Sequence, residues 1–325
     1  MFTQPDRLKS GDEIRIIAPA RGLKLIGQDC RYIANKRFAE LGLKVTFGKY
    51  TNDEEFNHDM STSVEKRISD LHDAFLDKNV KAIFTVIGGF NSNQILDYID
   101  YEIIKNNPKI ICGFSDISAV INAIHSKTGL ITYMGTHYSS FGMEKGFDHS
   151  FDYFKKALMQ ENEFEITYSN YWSDDLWFLD QNDRTFIQNS GHWNINPGNA
   201  KGKIVAGNLS LLTLLSGTSY FPDLTDKILF IENCYMCDSD YNIFDQQLQS
   251  LIQQPNFKTV KAIIIGRFQI KSEINKDKLI QIIKNKKELN KLPIIANVDF
   301  GHTTPMITIP IGGDARIENG KIFIK

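Results

Sequence analysis

A serine stands at the junction of an apolar strand pattern and a helical pattern in this 325-residue chain. The strand pattern of residues 109–112 ends at Gly113, and Ser115 follows two positions later, just before an apolar-periodic helix. A strand–turn–helix serine is typical of a nucleophile elbow, which lifts a hydroxyl clear of the sheet and points backbone N–H groups at a developing oxyanion. Ile117 stands where the usual G-x-S-x-G pattern has its second glycine. The alternative interpretation is that Ser115 or Asp116 only caps the helix.

A nucleophilic serine needs a base, and two of the seven histidines follow apolar strands. His302 lies in a loop bounded by glycine and proline, where polar groups are positioned more freely than in a helix interior. The spacing favours His302 over His137 only slightly and leaves both open.

The base in turn needs a carboxylate that orients it. Glu232 directly follows the apolar run of residues 227–231, where burial is costly unless the carboxylate is paired. A histidine N–H is one suitable partner, and a structural salt bridge is the alternative. Asp116 and Asp299 are rival carboxylates.

Two consecutive glycines, Gly88 and Gly89, end the strand pattern of residues 80–87. Backbone N–H groups at such a turn are suited to binding an oxyanion. The alternative is an ordinary strand-to-helix turn. The chain has no phosphate-binding glycine motif of either common kind.

Cys234 and Cys237 form a lone C-x-x-C motif. A structural zinc site would need a second pair of ligands at matching spacing, which Cys30 and Cys112 do not supply. We therefore predict no metal and no cofactor. Four cysteines in a long chain without secretory features indicate free thiols in a reducing compartment, and the cytoplasm is the predicted location.

These residues must be positioned by the elements around them. The first half of the chain alternates strand and helix patterns, which predicts an α/β fold with a parallel sheet covered on both faces. Ligands bind such sheets beyond the carboxyl ends of the strands. The alternation lapses over residues 164–197, which contain all three tryptophans and are typical of a lid or connection. We predict an N-terminal domain over residues 1–165, a connecting segment or lid over 166–200, and a C-terminal domain over 201–325.

Composition limits the classes of partner. Hydrophobic residues make up 42% and charged residues 23%, which is typical of a globular protein. A net charge of −2 provides no excess of positive charge that would indicate binding to nucleic acid or to an anionic membrane. No apolar run approaches the ~18 residues of a membrane helix, and the N-terminus lacks signal-peptide features. We expect a small-molecule or peptide substrate, with no nucleic acid and no membrane.

Five short motifs occur in order along the chain. They are Val86-Ile87-Gly88-Gly89-Phe90-Asn91-Ser92-Asn93-Gln94, Gly113-Phe114-Ser115-Asp116, Gly207-Asn208-Leu209, Ile231-Glu232 and Asp299-Phe300-Gly301-His302-Thr303-Thr304-Pro305-Met306. Together they resemble the LD-carboxypeptidase family of serine peptidases, from residue 11 to residue 313. The resemblance implies a flavodoxin-like N-terminal domain with a parallel sheet and a smaller, β-rich α/β C-terminal domain, usually in a homodimer.

The resemblance also implies site residues. The family's Ser–Glu–His triad falls on Ser115, Glu232 and His302, which favours His302 over the rival histidine. Its oxyanion hole falls on the backbone N–H groups of Gly89 and Asp116.

Two branches of the family differ in substrate. One removes the terminal D-alanine of murein tetrapeptides during cell-wall recycling. The other, the microcin C immunity branch, hydrolyses the amide that joins an aminoacyl group to a modified adenylate. Residues 90–93 and the insert at 173–177 resemble the second branch, which implies that Trp177 stacks on adenine. Asn208 and Asn91 are also expected to bind substrate.

We therefore predict a serine peptidase that hydrolyses an amide bond in a small peptide or an aminoacyl-nucleotide. The first alternative is a murein-tetrapeptide LD-carboxypeptidase. The second is a non-catalytic binder of peptide or nucleotide on the same scaffold, because Asn233 and Cys234 depart from the acidic residues that usually follow the glutamate in the immunity branch.

Overall fold

Five strands alternate with helices over the first half of the protein, as the sequence predicts. The structure, a computed structural model, describes residues 2–235 and 240–325, so Cys237 of the C-x-x-C motif lies outside the described residues. The strands are β1 (Glu13–Ile17), β2 (Lys44–Phe47), β3 (Val80–Thr85), β4 (Ile110–Gly113) and β5 (Thr132–Met134). The helices are α1 (Gln28–Glu40), α2 (Val64–Leu76), α3 (Tyr101–Asn106), α4 (Ser118–Thr128) and α5 (Asp148–Met159).

Further strands and helices follow in the rest of the chain. The segment before residue 200 contains β6 (Phe164–Ile166), β7 (Tyr171–Trp172), β8 (Ile187–Gln188) and β9 (Trp193–Asn196). The strands beyond it are β10 (Ala200–Asn208), β11 (Lys227–Glu232), β12 (Ala262–Gly266), β13 (Ile294–Val298), β14 (Ile309–Ile311), β15 (Asp314–Glu318) and β16 (Lys321–Ile324). The helices there are α6 (Leu209–Leu214), α7 (Asp240–Ile252) and α8 (Lys276–Lys284). Short 3-10 helices cover Leu23–Leu25, Ser92–Tyr98, Ser115–Ile117, Ser139–Gly142, Phe257–Thr259, Ile270–Ser272 and Lys287–Leu289.

The first sheet has the strand order β14-β5-β4-β3-β1-β2. Strands β1 to β5 are parallel to their neighbours, and their order 2-1-3-4-5 is that of flavodoxin-like sheets. The sixth strand, β14, comes from the far end of the chain and pairs antiparallel with β5. The C-terminal part of the chain therefore completes the N-terminal sheet.

The second sheet has the order β6-β16-β15-β10-β11-β12-β13-β9. Its centre, β10 to β13, is parallel, whereas the outer strands pair antiparallel. The protein is thus a mixed α/β fold with a parallel-sheet N-terminal region and a β-rich C-terminal region.

The stretch predicted as irregular, residues 164–197, is partly sheet. Strand β6 pairs with β16 and β9 pairs with β13, both at the edges of the second sheet. These strands have only three and four residues and are mostly half-exposed, so each is too short for an alternation of apolar and polar residues to identify it as a strand. Their position at sheet edges depends on partners far away along the chain.

Helix α4, which follows the candidate nucleophile, lies between the two sheets. Every residue from Ser118 to His125 is buried, and the helix contributes to a core cluster that contains strands of both sheets. A helix that is buried on all sides is typical of a central position in a core. The helix ends at Gly129, which adopts a left-handed conformation at φ 73°. Among the described residues no helix combines the length and apolarity needed to span a bilayer.

Candidate active site

Ser115 lies on a strained turn between β4 and α4. Its φ is +58°, a left-handed conformation that non-glycine residues adopt rarely and that is typical of nucleophile turns. Gly113 permits the turn, because a Cβ there would lie 2.5 Å from Thr85 Oγ1. Gly88 lies directly beside the serine, since a Cβ on it would lie 3.2 Å from Ser115 Oγ. The serine hydroxyl is therefore held at the carboxyl ends of β3 and β4.

The imidazole of His302 lies between Ser115 and Glu232. Its Nε2 is 2.9 Å from Ser115 Oγ, and its Nδ1 is 2.8 Å from Glu232 Oε2. Glu232 is fully buried at the end of β11, so its carboxylate has lost water and depends on such partners. The geometry allows Nε2 to accept the serine proton while the Nδ1–H group donates to the carboxylate.

The second oxygen of Glu232 is held by Asn208, at the end of β10. Asn208 Nδ2 donates to Glu232 Oε1 at 3.0 Å, and Asn208 Oδ1 accepts the backbone N–H of Leu211 to cap helix α6. The Asn208 backbone N–H donates to Ser118 Oγ at 3.2 Å. Both carboxylate oxygens are thus bonded, which fixes the plane of the carboxylate and with it the histidine ring.

The His302 loop approaches Glu232 closely because of a glycine. Gly301 has a φ of +103°, and a Cβ on it would lie 2.9 Å from both Cβ and Oε2 of Glu232. A side chain at this position would meet both steric overlap and backbone strain.

The pKa of His302 lies well above its usual value. Burial alone would lower this pKa, but the negative charge of Glu232, together with interactions of the Cys234 thiol, overcomes the effect of burial. Hydrogen bonding to Glu232 acts in the same direction. The imidazolium that a general base would form is therefore stabilised in place.

The glycine loop, residues 86–92 after β3, is fastened to the serine turn by Asp116. Asp116 Oδ2 accepts the backbone N–H groups of Asn91 at 3.1 Å and Ser92 at 2.9 Å, and Ser92 Oγ donates to the Asp116 carbonyl at 2.6 Å. Burial raises the pKa of Asp116, although these hydrogen bonds and the charge of Arg67 oppose the effect.

In the described part of the chain, the N–H groups of Gly89 and Asp116 have no acceptor. Both are free to bind an oxyanion.

Two of the rival residues, His137 and Asp299, are bonded to other partners. His137 is buried beside Phe114, with its Nδ1 2.7 Å from Thr85 Oγ1, and burial lowers its pKa to about 3. Asp299 is also fully buried, but its carboxylate pairs with Arg267 Nη1 at 2.5 Å. Neither has a hydrogen bond to Ser115 or His302.

Of the expected substrate-binding residues, Asn91 is only 3% exposed. Its Oδ1 accepts Ser61 Oγ at 3.0 Å and Arg67 Nη1 at 3.2 Å. The side chain of Asn208 is likewise occupied by the contacts described above. In this structure both asparagines bind parts of the protein itself.

Trp177 lies half-buried on the connecting segment, with its ring centroid 6.0 Å from that of Phe178. The segment is hydrogen-bonded to the His302 loop: Ser173 N–H donates to Thr304 O at 2.8 Å, and Thr304 N–H donates back at 2.7 Å. The segment that carries Trp177 is therefore attached two residues from His302.

Arg67 is a residue of this region that the sequence analysis does not identify. Its buried guanidinium donates to Pro19 O and Asn91 O, both at 3.1 Å, and to Gln94 Oε1 at 2.9 Å. Arg67 therefore stabilises the glycine loop through its hydrogen bond to Asn91 O. The feature of the sequence that could have identified Arg67 is its spacing, because it lies one helical turn before the buried Leu71 on the core face of α2.

The described residues contain no group of three or more histidine, cysteine or acidic side chains arranged to hold a metal ion.

Comparisons with known proteins agree with this architecture. Residues 14–135 match the LD-carboxypeptidase N-terminal domain, and residues 201–317 match the LD-carboxypeptidase C-terminal domain. The carboxypeptidase-named protein YocD of Bacillus subtilis (strain 168) is 50% identical over 312 residues, which cover 96% of this chain and 95% of that protein.

Solved structures give the same result. The structure of an MccF-like protein from Bacillus anthracis str. Ames is 48% identical, covers 99% of both chains and superposes with a TM-score of 0.97. A structure of MccF in complex with glutamyl sulfamoyl guanosine is 26% identical, covers 99% of this chain and 98% of its own, and has a TM-score of 0.87. The chain belongs to the LD-carboxypeptidase family of serine carboxypeptidases.

Proposed function

We propose that Ser115, His302 and Glu232 form the catalytic triad of this peptidase and that its substrate is a small peptide or an aminoacyl-nucleotide. The observation that carries the proposal is the continuous chain of hydrogen bonds from Ser115 Oγ through both ring nitrogens of His302 to Glu232. Nucleophile, base and orienting carboxylate at these distances form the constellation used for acyl transfer on several unrelated folds.

The proposed reaction begins when Ser115 Oγ attacks the carbonyl carbon of the scissile amide and His302 Nε2 accepts the hydroxyl proton. The N–H groups of Gly89 and Asp116 bind the resulting oxyanion. Collapse of the tetrahedral intermediate breaks the C–N bond, and the leaving amine takes the proton from His302. The same histidine then activates a water molecule, which hydrolyses the acyl-serine and restores the hydroxyl.

For the substrate, we propose the amide that joins an aminoacyl group to a nucleotide. The structurally similar MccF has been solved with glutamyl sulfamoyl guanosine, an analogue of an aminoacyl-nucleotide in which a sulfamoyl group replaces the phosphoryl group. In this chain, Trp177 lies on a segment that is hydrogen-bonded to the His302 loop, so its indole is a suitable platform for a base. Stacking of a base on an aromatic side chain contributes roughly 1–3 kcal/mol.

The second candidate is hydrolysis of the terminal D-alanine from a murein tetrapeptide. The carboxypeptidase name of the Bacillus subtilis relative supports it, because half of the aligned residues are identical. Both candidates use the same triad and the same oxyanion hole, and they differ in the group that leaves.

A parallel hydrolysis assay tests both candidates. Purified protein is incubated with an aminoacyl sulfamoyl adenosine and with a murein tetrapeptide, and the products are identified by mass spectrometry, with Ser115→Ala as control. Cleavage of the nucleotide alone supports the first candidate, whereas release of D-alanine alone supports the second. If neither compound is cleaved, the proposed substrate classes are wrong.

We also propose a homodimer in the cytoplasm, organised as domains over residues 1–165 and 201–325 with a connecting segment over 166–200. Cys30, Cys112 and Cys234 are free thiols, which is consistent with a reducing compartment. Sedimentation equilibrium tests the dimer, and limited proteolysis tests whether the connecting segment is cleaved first.

A further inference from the structure

Arg21 lies beside the glycine loop, just beyond the carboxyl end of β1. Strands β1 and β3 are parallel neighbours, so the residues that follow them lie at the same edge of the sheet. A Cβ on Gly89 would lie 3.3 Å from Arg21 Cγ, and a Cβ on Gly88 would lie 3.2 Å from Ser115 Oγ. Two consecutive glycines therefore contact the arginine stem and the nucleophile.

The guanidinium of Arg21 is held in place by the protein. Its Cζ lies 4.6 Å from the centroid of the Phe90 ring, which is 52% exposed, and its Nε donates to Asp59 O at 3.3 Å. The backbone of Arg21 also forms an antiparallel bridge with Ser61. A stacked, tethered guanidinium loses little further freedom when it binds a ligand.

The terminal nitrogens of Arg21 are available. Across the described ranges, neither Nη1 nor Nη2 has a hydrogen-bond acceptor, and no carboxylate lies within 4.0 Å of the guanidinium. The two buried arginines of the same region differ, because Arg67 donates to several oxygens and Arg267 pairs with Asp299. Arg21 is thus a cation next to the glycine loop whose charge the surrounding chain leaves unpaired.

A planar guanidinium with two free nitrogens is suited to binding a carboxylate or phosphate in a bidentate manner. Both substrate classes carry an anion on the side of the scissile amide that leaves. In a peptide it is the carboxylate of the last residue, and in an aminoacyl-nucleotide it is the phosphoryl group. We infer that Arg21 binds this leaving-side anion and thereby determines specificity. The inference rests on the proposed function.

The first experiment compares a charged and a neutral peptide. The kcat/KM is measured for an L-to-D peptide that ends in a free carboxylate and for the same peptide ending in a carboxamide. We expect Arg21→Ala to lower kcat/KM for the carboxylate by about 10- to 100-fold and for the carboxamide by less than about threefold. Arg21→Lys keeps the positive charge but loses the paired N–H donors of the guanidinium, so we expect an intermediate kcat/KM for the carboxylate peptide.

The second experiment compares AMP with adenosine in calorimetric titrations of the Ser115→Ala protein, with and without Arg21→Ala. The affinity for AMP should fall by about 10-fold or more and that for adenosine should stay the same. A loss confined to the peptide pair identifies the anion as a carboxylate, and a loss confined to AMP identifies it as a phosphoryl group. Lys24→Ala is the matched control, because Lys24 Nζ lies 4.9 Å from the centroid of the Phe56 ring and, among the described residues, forms no hydrogen bond to the glycine loop.

Equal losses on charged and neutral ligands, or no loss in either pair, would overturn the inference. Failure of the proposed function gives a different result, namely a wild-type protein that hydrolyses neither substrate class. The titrations still decide the role of Arg21 in that case. A wild-type protein that neither hydrolyses the peptides nor binds AMP overturns both.

Discussion

The backbone N–H of Ser92 donates to Oδ2 of Asp116 at 2.9 Å, which joins the glycine loop to the serine turn. The same oxygen accepts the N–H of Asn91, and Ser92 Oγ returns a bond to the Asp116 carbonyl. The two N–H groups proposed to bind the oxyanion lie on either side of this contact, at Gly89 and at Asp116 itself. Their separation therefore depends on the Asp116 carboxylate.

Removing that carboxylate should impair the chemical step more than substrate binding. We expect Asp116→Ala to lower kcat by about 10- to 100-fold with a smaller change in KM, because a misplaced oxyanion hole weakens binding of the transition state specifically. Asp116→Asn keeps an oxygen acceptor and should recover most of the rate. Steady-state kinetics of the two variants test this, with circular dichroism as a folding control. A loss in KM alone would contradict the assignment.

The raised pKa of His302 predicts a specific pH dependence. His302 must be neutral to accept the serine proton, so kcat/KM should rise with pH through a value above the usual histidine pKa. Glu232→Gln removes the carboxylate charge, and burial then favours the neutral ring, so the acidic limb of the profile should move to lower pH. If the acidic limb of the kcat/KM profile does not move in Glu232→Gln, a group other than His302 determines it.

The contribution of His302 to the free energy of unfolding should fall over the pH range in which kcat/KM rises. A histidine whose pKa is higher in the folded than in the unfolded state stabilises the fold fully below the unfolded pKa. This contribution is lost as the pH rises through the folded pKa of His302. Urea unfolding of wild-type protein and His302→Ala at several pH values measures the difference. If His302 is not protonated in the folded state, the free energy of unfolding should depend on pH in the same way in the two proteins.

The sequence predicts the parallel sheet and the strand-end positions of the site because both depend on local patterns. The apolar run before Gly113, the helix after it and the glycine pair at residues 88 and 89 all appear where the patterns place them. The resemblance to a family adds the pairing of Ser115 with His302, which the spacing alone leaves open between two histidines.

Other features depend on contacts between distant parts of the chain. Strand β14 joins the first sheet although some 170 residues separate it from β5, and edge strands β6 and β9 are too short to show a period. The sequence identifies Asn208 as a candidate site residue but does not indicate that its side chain holds Glu232, 24 residues away. Such a contact follows from the register of β10 beside β11, which no local pattern encodes.

Covalent labelling tests the nucleophile directly. A fluorophosphonate should label the wild-type protein at Ser115, Ser115→Ala should not react, and His302→Ala should react much more slowly because the hydroxyl loses its base. Hydrolysis should fall by about 10⁴-fold or more in Ser115→Ala. Ser126→Ala is the matched control, because Ser126 lies exposed on α4. Absence of labelling in well-folded wild-type protein would instead support a binding protein without catalysis.

Trp177 should distinguish the two substrate classes. The connecting segment that carries it is held to the His302 loop by two hydrogen bonds between Ser173 and Thr304, so the indole has a defined place near the site. If a base stacks on it, Trp177→Ala should raise KM for an aminoacyl sulfamoyl adenosine by about 5- to 150-fold, corresponding to the roughly 1–3 kcal/mol of one stacked base. The KM for a murein tetrapeptide, which has no base, should stay within about twofold. Leu179→Ala is the control, because Leu179 lies on the same segment and is 73% exposed. Equal losses on both substrates would mean that Trp177 only anchors the connecting segment.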